Sequence, residues 1–176
     1  RHVNAAIAYN VYQYYQVTQD LEFLTFYGAE IILEIARFWG SVATFSKEHD
    51  RYVIHGVMGP DEFHEGYPGA DTPGLNNNAY TNVMAVWVLA RALEILEILP
   101  EDHAGNLMER LDLAEEERAR WRDITRRMRI PFHDDGIISQ FEGYAKLKEL
   151  DWEAYREKYG DIHRLDRILE AEGDSP

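Results

Sequence analysis

The sequence predicts an all-α protein that carries one short β-hairpin and one long loop. Three observations lead to this fold class. Apolar residues recur at spacings of three and four over long stretches, as they do in amphipathic helices. The runs with strand character are only two or three residues long. Residues 56–78 are rich in glycine and proline and lose the helical periodicity, so they predict a long loop, a kind of segment that often carries function.

The first half of the chain contains two predicted helices and the hairpin. Residues 4–15 place apolar side chains on one helical face. Asp20 is a suitable N-cap for a second helix that extends to about residue 40. The apolar residues of this helix cover more than one stripe, which predicts burial on two sides. Residues 44–45 and 52–54 are β-type runs around a polar turn, and together they predict the hairpin.

The second half is also mainly helical. Asn78 predicts the N-cap of a strong helix over residues 79–99, which Pro100 ends. Asp112 and Glu115 have the spacing of a capping box and predict a charged helix to about residue 129. An extended piece and two polar helices follow, over residues 136–141, 151–159 and 162–172.

The composition excludes several classes of function. With 18 basic and 32 acidic residues, the formal net charge is −14, which disfavours binding to nucleic acids and to anionic membranes. The sequence has no cysteine, which excludes disulfides, zinc–thiolate sites and thiol nucleophiles. No apolar run is long enough to span a bilayer and no signal peptide is recognisable, so we expect a cytoplasmic protein. The chain begins at Arg1 and ends on a turn sequence at 173–176, so we expect a piece of a longer polypeptide.

Acidic side chains are concentrated in the first part of the long loop. Three carboxylates and one imidazole occur there, on Asp61, Glu62, His64 and Glu65. One interpretation is a solvated acidic loop. The other is a general acid held at a pocket, because apolar neighbours such as Met58 and Phe63, and nearby negative charge, raise the pKa of a carboxyl group toward working pH. Both interpretations fit the composition of the loop.

Asparagines are concentrated where the loop meets the next helix, in residues 76–82. One amide is needed as the helix cap. The others suit either an Asx turn or a set of sugar hydroxyls, which match the donor and acceptor atoms of an amide. A metal site is not predicted, because the ligand types in and before the loop lack a recognised spacing; they are His55, Asp61, His64 and Glu65. Glycine motifs for nucleotide binding are missing from the sequence.

Seven short motifs occur in a fixed order along nearly the whole chain. The longest are GVMGPDEFHE at residues 56–65, NNAYTN at 77–82 and GIISQFEG at 136–143. The shorter ones are HVNA, YGAE, ARFW and PF, which begin at residues 2, 27, 36 and 131. In this order they resemble glycoside hydrolase family 65, which contains inverting α-glucoside phosphorylases and related hydrolases.

The resemblance implies that residues 1–176 are part of a single (α/α)6-barrel catalytic domain. It implies that Glu62 is the general acid, which protonates the glycosidic oxygen of an α-glucosidic disaccharide. Inorganic phosphate then attacks the anomeric carbon from the opposite face and gives β-glucose 1-phosphate, with no cofactor. A hydrolase of the family would instead need a second carboxylate that activates water. The family also suggests a homodimer of the full-length protein.

Three neighbours of Glu62 in the loop are candidates for substrate binding. His64 is expected to orient either Glu62 or the sugar, and Glu65 is a weaker candidate beside it. Asp61 is expected to hold the loop through hydrogen bonds to backbone N–H groups.

The starts of two helices supply the other candidates for substrate binding. Asn78 and Asn82 lie one turn apart on the same helical face and could share a role as cap or as ligand. His2 and Asn4 stand at the start of the first helix, where the mouth of an active site is expected.

Two features depart from the family pattern. The insert at residues 66–76 is longer than usual, which suggests an altered acceptor subsite, and Ala6 stands where the family often has aspartate. The Trp-Asp segment that holds the glucose, the Lys-Gln motif and the phosphate contacts of the family are missing from the chain. We therefore expect the isolated chain to be inactive. Two alternatives to a phosphorylase stay open: an inverting, trehalase-like hydrolase, and a non-catalytic helical sugar-binding scaffold.

Overall fold

The computed structural model describes residues 2–62 and 64–173. The elements of this part of the chain are α1 (Val3–Thr18), α2 (Leu21–Phe23), a π-helical turn (Leu24–Gly28), α3 (Ala29–Val42), β1 (Thr44–Ser46), β2 (Arg51–Val53), α4 (Ala79–Ile98), α5 (Glu101–Arg110), α6 (Glu115–Arg127), a 3-10 turn (Tyr144–Lys146), α7 (Trp152–Tyr159) and α8 (Leu165–Glu172). The all-α class with one short hairpin and one long loop is confirmed. Arg1 and residues 174–176, which suggested a longer polypeptide, lie outside the described residues.

The N-terminal helices follow the sequence pattern with two differences. The second predicted helix runs from α2 to α3 without a break, but it widens into the π-helical turn. Asp20 caps it as predicted, because its carboxylate accepts a hydrogen bond from the backbone N–H of Phe23 at 2.8 Å. The prediction that this helix is buried on two sides is wrong. α3 buries one wide face, while Ile31 and Phe38 on its other side are exposed.

The hydrophobic core lies between α3 and α4, and α1 and α6 pack against this pair. Fully buried alanines, among them Ala36 and Ala85, allow the two central helices to approach closely. Trp121 of α6 closes one end of the core against Gly40. A Cβ atom on Gly40 would lie 2.7 Å from the indole nitrogen of Trp121, so this contact leaves no room for a larger residue.

The hairpin connects α3 to the end of α6. β1 and β2 pair antiparallel, with Phe45 opposite Tyr52. The hydroxyl of Tyr52 donates a hydrogen bond to Asp123 at 3.0 Å, and its backbone carbonyl accepts one from the N–H of Arg129 at 2.8 Å. These contacts determine where the chain leaves α6 and passes toward the long loop.

Two predictions for the second half are wrong. Asp112 adopts a left-handed conformation with φ of 49° and does not cap α6; Ala114 occupies the N-cap position without a side-chain hydrogen bond. The capping box with Glu115 therefore does not form. In addition, α5 begins directly after Pro100, where only the end of α4 was expected. Proline is compatible with the start of a helix as well as with the end of one.

The C-terminal part is less regular than predicted. Residues 136–141 contribute one isolated bridge, between Phe132 and Ile138, instead of a strand. α7 matches its prediction, and the carboxylate of Asp151 caps it by accepting from the N–H of Ala154 at 3.0 Å. α8 begins at Leu165, three residues later than expected. Across residues 2–62 and 64–173, no helix combines the length and the apolarity that a membrane crossing requires.

Candidate active site

The long loop is closed at its base by paired backbone hydrogen bonds. The N–H of Val57 donates to the carbonyl of Leu75 at 3.1 Å, and the N–H of Leu75 donates back at 2.8 Å. Gly74 lies directly on Gly56 at this closure, with φ of 104°, and a Cβ atom would be 2.5 Å from the carbonyl carbon of Gly56. Only glycine fits there. The segment 58–74 is thus a loop whose two ends are held together by backbone hydrogen bonds.

His64 is more buried than the other described side chains of the acidic run, those of Asp61, Glu62 and Glu65. Its Nε2 atom lies 3.0 Å from Oε1 of Gln140, and its ring packs edge-on against Phe141 at a centroid distance of 5.4 Å. Its Nδ1 atom faces the carboxylate of Asp61 at 3.8 Å. Gly59 packs under the ring, where a Cβ atom would lie 2.5 Å from Nδ1. The imidazole is therefore held in one orientation.

A cavity of about 230 Å³ opens beside His64. Its lining combines the loop, the start of α4 and the segment after α6; the lining residues are Pro60, Asp61, His64, Asn78, Ala79, Tyr80, Ile138, Ser139 and Gln140. His2 borders this region, because its ring meets that of Tyr80 at 5.4 Å. Three of the predicted site residues, Asp61, His64 and Asn78, are thus brought together, and His2 contacts Tyr80 of the same lining.

Glu62 and Glu65 are exposed at the loop surface. Glu62 does not pair with Arg37, whose guanidinium binds Glu117 at 3.1 Å. Glu62 instead acts electrostatically on Arg164. The pKa of Arg164 is raised first by its hydrogen bond to Asp166, and the charge of Glu62 adds to this effect. Phe63, an expected apolar neighbour of Glu62, lies outside the described residues.

Asp61 has a different contact from the one predicted. Its backbone carbonyl accepts from the N–H of His64 at 3.4 Å, while its largely exposed carboxylate faces the imidazole of the same residue. The side chain thus acts on His64 instead of holding backbone N–H groups. Glu65 holds the loop through its backbone carbonyl, which accepts from the N–H of Gly74.

Two of the predicted asparagines, Asn78 and Asn82, make hydrogen bonds within the protein. Asn78 caps α4 as predicted, accepting from the N–H of Thr81 at 3.0 Å. Asn82 is fully buried, and its amide nitrogen donates to the backbone carbonyl of Arg129 at 2.7 Å. This amide nitrogen is therefore used inside the protein. Asn4 stands at the start of α1 with its Oδ1 atom buried, and within the described part of the chain that oxygen has no hydrogen-bond partner.

Glu142 is an important residue that sequence reasoning does not single out. Its carboxylate receives hydrogen bonds from Asn77 and Arg129. Burial raises the pKa of Glu142, but the hydrogen bond from Asn77 and the charge of Arg129 outweigh burial and lower the pKa overall. The motif at residues 136–143 contains Glu142, yet nothing in it shows that its partner lies 65 positions away along the chain.

Metal binding has no support from the geometry. Among residues 2–62 and 64–173, no three histidine, aspartate or glutamate side chains come close enough together to hold an ion. The absence of a metal and of a cofactor stays a prediction.

The family is decided by comparison with known proteins. The model of the glycosyl hydrolase family 65 central catalytic domain matches residues 1–176. The chain belongs to this family. It is 59% identical over 174 residues to an uncharacterized glycosyl hydrolase of Mycobacterium tuberculosis, 40% identical over 176 residues to trehalose 6-phosphate phosphorylase of Lactococcus lactis, and 40% identical over 160 residues to kojibiose phosphorylase of Caldanaerobacter subterraneus.

These family 65 relatives are much longer than the chain. Their matches cover 99%, 100% and 89% of this chain, which spans only 13% of the mycobacterial protein and 21% and 20% of the two phosphorylases. A solved structure of a presumed kojibiose phosphorylase from the human microbiome matches 94% of this chain with a TM-score of 0.74 and 24% identity, over 24% of its own length. This match confirms the fold and is consistent with the expected segment of an (α/α)6 barrel.

Proposed function

We propose that this chain is the part of a family 65 enzyme that supplies the general acid, and that the enzyme cleaves an α-glucosidic disaccharide by phosphorolysis with inversion. The observation that carries the proposal is the closed loop of residues 56–75. The loop carries Glu62 as an exposed carboxylate, and two of its near neighbours in the sequence, Asp61 and His64, line a cavity together with Asn78. Relatives at 40% identity named as trehalose 6-phosphate and kojibiose phosphorylases support the phosphate-dependent reaction.

In the proposed reaction, Glu62 gives its proton to the glycosidic oxygen as the bond from that oxygen to the anomeric carbon breaks. A phosphate oxygen forms a new bond to the anomeric carbon from the opposite face. The products are β-glucose 1-phosphate and the free sugar. The imidazole of His64 is suited to fix the backbone next to Glu62, because its Nε2 atom contacts Gln140 and its ring packs against Phe141.

A hydrolase of the same family is the second candidate, because the 59% identical mycobacterial relative is named as a glycosyl hydrolase. A hydrolase needs a carboxylate base, and in inverting enzymes this lies roughly 6.5–9.5 Å from the acid. The enzyme is further proposed to be a cytoplasmic homodimer that needs no metal or cofactor. Size measurement by light scattering tests the homodimer, metal analysis of the purified protein tests the absence of a metal, and fractionation of the source cells tests the location.

The experiment uses the chain with all polypeptide that flanks it in its natural protein, called the full-length protein below. Release of β-glucose 1-phosphate from maltose, trehalose, kojibiose, nigerose and trehalose 6-phosphate is measured with and without phosphate. Release that depends on phosphate supports phosphorolysis. Free glucose at the same rate without phosphate supports the hydrolase.

Glu62→Gln is expected to lower kcat by about 10²–10⁴-fold, the usual contribution of a general acid. Glu101→Gln serves as the matched control, because Glu101 is also an exposed carboxylate and lies on α5, far along the chain from the loop. Unchanged turnover in Glu62→Gln would show that Glu62 is not the acid and would favour the non-catalytic scaffold. The isolated chain is expected to show no phosphorolysis.

A further inference from the structure

The carboxylate of Glu142 joins three separate parts of the chain. Its Oε2 atom accepts a hydrogen bond from Nδ2 of Asn77 at 2.6 Å, and its Oε1 atom accepts one from Nη2 of Arg129 at 2.9 Å. The imidazole of His49, in the turn of the hairpin, lies 4.0 Å from Oε1. Both oxygens are therefore used, and a carboxylate held by two donors in different directions has a defined orientation.

The backbone of Glu142 holds the same loop from a second direction. Its carbonyl accepts a hydrogen bond from the hydroxyl of Tyr67 at 2.7 Å, and its N–H donates to the carbonyl of Asn76 at 3.0 Å. The hydroxyl of Tyr67 also accepts from the N–H of Asn76 at 3.0 Å. Residue 142 thus contacts the middle of the loop and its C-terminal end.

Asn77 transmits this contact to the helical core. It is fully buried in a left-handed conformation with φ of 47°. Its Oδ1 atom accepts from the N–H of Ile54 at 3.2 Å and faces Nδ2 of Asn82 at 3.4 Å. Because Nδ2 points to the carboxylate of Glu142, Oδ1 is forced toward these two donors. The carboxylate therefore sets the orientation of the whole amide.

The segment that contains Glu142 also holds His64. Gln140 and Phe141 contact the imidazole, and the carbonyl of Gln140 accepts from the N–H of Ala79 at 2.8 Å. Glu142 itself does not line the cavity beside His64; its carboxylate lies between Asn77 and Arg129. It is consequently placed to act on the loop and not on a ligand in that cavity.

We propose that Glu142 is a positioning residue, whose carboxylate fixes the loop that carries Glu62 by holding Asn77 and Arg129. The effect of Glu142 on catalysis rests on the proposed function, in which Glu62 is the general acid. The simpler alternative is a polar contact that stabilises the fold and has no influence on the loop. The positioning role and the purely stabilising contact predict different results when the amide and the carboxylate are exchanged between positions 77 and 142, a change that keeps the net charge.

The test compares Glu142→Gln, Asn77→Asp and the double variant with both changes in the full-length protein. In Glu142→Gln, the new NH₂ group meets a donor of Asn77 or Arg129. In Asn77→Asp, two carboxylates face each other. In the double variant, the new amide at position 142 donates to the new carboxylate at position 77 and still accepts from Arg129. That carboxylate keeps its other oxygen for the N–H of Ile54, so the contact is restored with the same net charge.

The first measurement is amide hydrogen exchange at Gly59 and His64, whose N–H groups are bonded inside the loop. Each single variant is expected to speed this exchange by about tenfold or more, as for the loss of a hydrogen bond to a charged group. The double variant is expected to return it to within about threefold of the wild type. Loop exchange that stays unchanged in both single variants overturns the inference, whatever the activity.

The second measurement is turnover. The single variants are expected to lower kcat by about tenfold with little change in KM, because a misplaced acid affects the chemical step more than binding. The double variant is expected to recover kcat. Equal losses in the double and single variants overturn the positioning role. Glu62→Gln separates the two proposals: full activity in that variant removes the proposed function, while the exchange result still decides whether Glu142 holds the loop.

Discussion

The helical core and the long loop are held by different kinds of interaction. Between α3 and α4, apolar side chains and alanines fill the space, and the contacts have no preferred direction. Around residues 56–78, amide, carboxylate and imidazole groups make directed hydrogen bonds to neighbours far away in the sequence. The comparison teaches that the core is sensitive to side-chain volume, whereas the loop is sensitive to polarity at constant volume.

The largest expected effect is in the core. Trp121→Ala removes a side chain that is 1% exposed and is expected to cost about 3–5 kcal/mol in the free energy of unfolding. Trp152→Ala, at a position 42% exposed on α7, is the matched control and is expected to change this energy by less than about 1 kcal/mol. Chemical unfolding of the full-length variants measures both. Similar losses for the two tryptophans would contradict the assignment of the core.

Glycine substitutions sharpen the comparison. Gly74→Ala forces a Cβ atom onto the backbone of Gly56 at a positive φ, so we expect a loss of about 1–3 kcal/mol and faster hydrogen exchange at Val57 and Leu75. Gly105→Ala lies in α5, where a Cβ atom meets nothing within 4 Å. It is expected to stabilise the protein by about 0.5–1 kcal/mol. Changes of opposite sign in the free energy of unfolding support the difference between the two regions. An unchanged free energy in Gly74→Ala would refute the close contact between Gly74 and Gly56.

The junction between loop and core is expected to respond moderately. Asn78→Ala removes the cap of α4 and should cost about 0.5–2 kcal/mol, visible as faster hydrogen exchange in the first turn of the helix. Asn78→Asp keeps an oxygen that accepts from Thr81 and should retain most of the protection. If Asn78→Asp and Asn78→Ala speed hydrogen exchange in the first turn of α4 equally, the amide nitrogen of Asn78 and not its capping oxygen is the important group.

The smallest effect is a dependence of stability on pH. The pKa of Glu142 lies below its ordinary value of 4.5 in the folded protein, so its ionised contacts stabilise the fold fully above that value. This contribution is lost as the pH falls through the lowered pKa. The difference in unfolding free energy between the wild type and Glu142→Gln is therefore expected to be constant near neutral pH and to narrow in acid. A difference that widens below pH 4.5 would have the wrong sign.

Local signals in the sequence predicted local structure well. Asp20 and Asn78 cap helices as predicted, because a short acceptor side chain can reach the next free N–H groups without help from distant residues. Asp112 shows the limit of this reasoning. It has the spacing of a capping box, but the chain turns through a left-handed conformation at Asp112, and the N-cap position of α6 falls on Ala114.

The candidate site was only partly predictable for the same reason. Asp61, Glu62 and His64 stand out because they are close together in the sequence. Glu142 does not stand out, since its contact with Asn77 appears only after the hairpin and α6 bring residues 65 positions apart into hydrogen-bond distance.

The sequence by itself determined the helical class, the hairpin, the long loop and membership of glycosyl hydrolase family 65, because each depends on periodicity, capping residues or contiguous motifs. Only the tertiary structure decided which loop residues share a cavity, that Asn82 is buried, and that the carboxylate of Glu142 accepts a hydrogen bond from Asn77. Hydrogen bonds act over about 3 Å and in defined directions. Their partners are therefore set by how the helices pack, which a linear pattern does not contain.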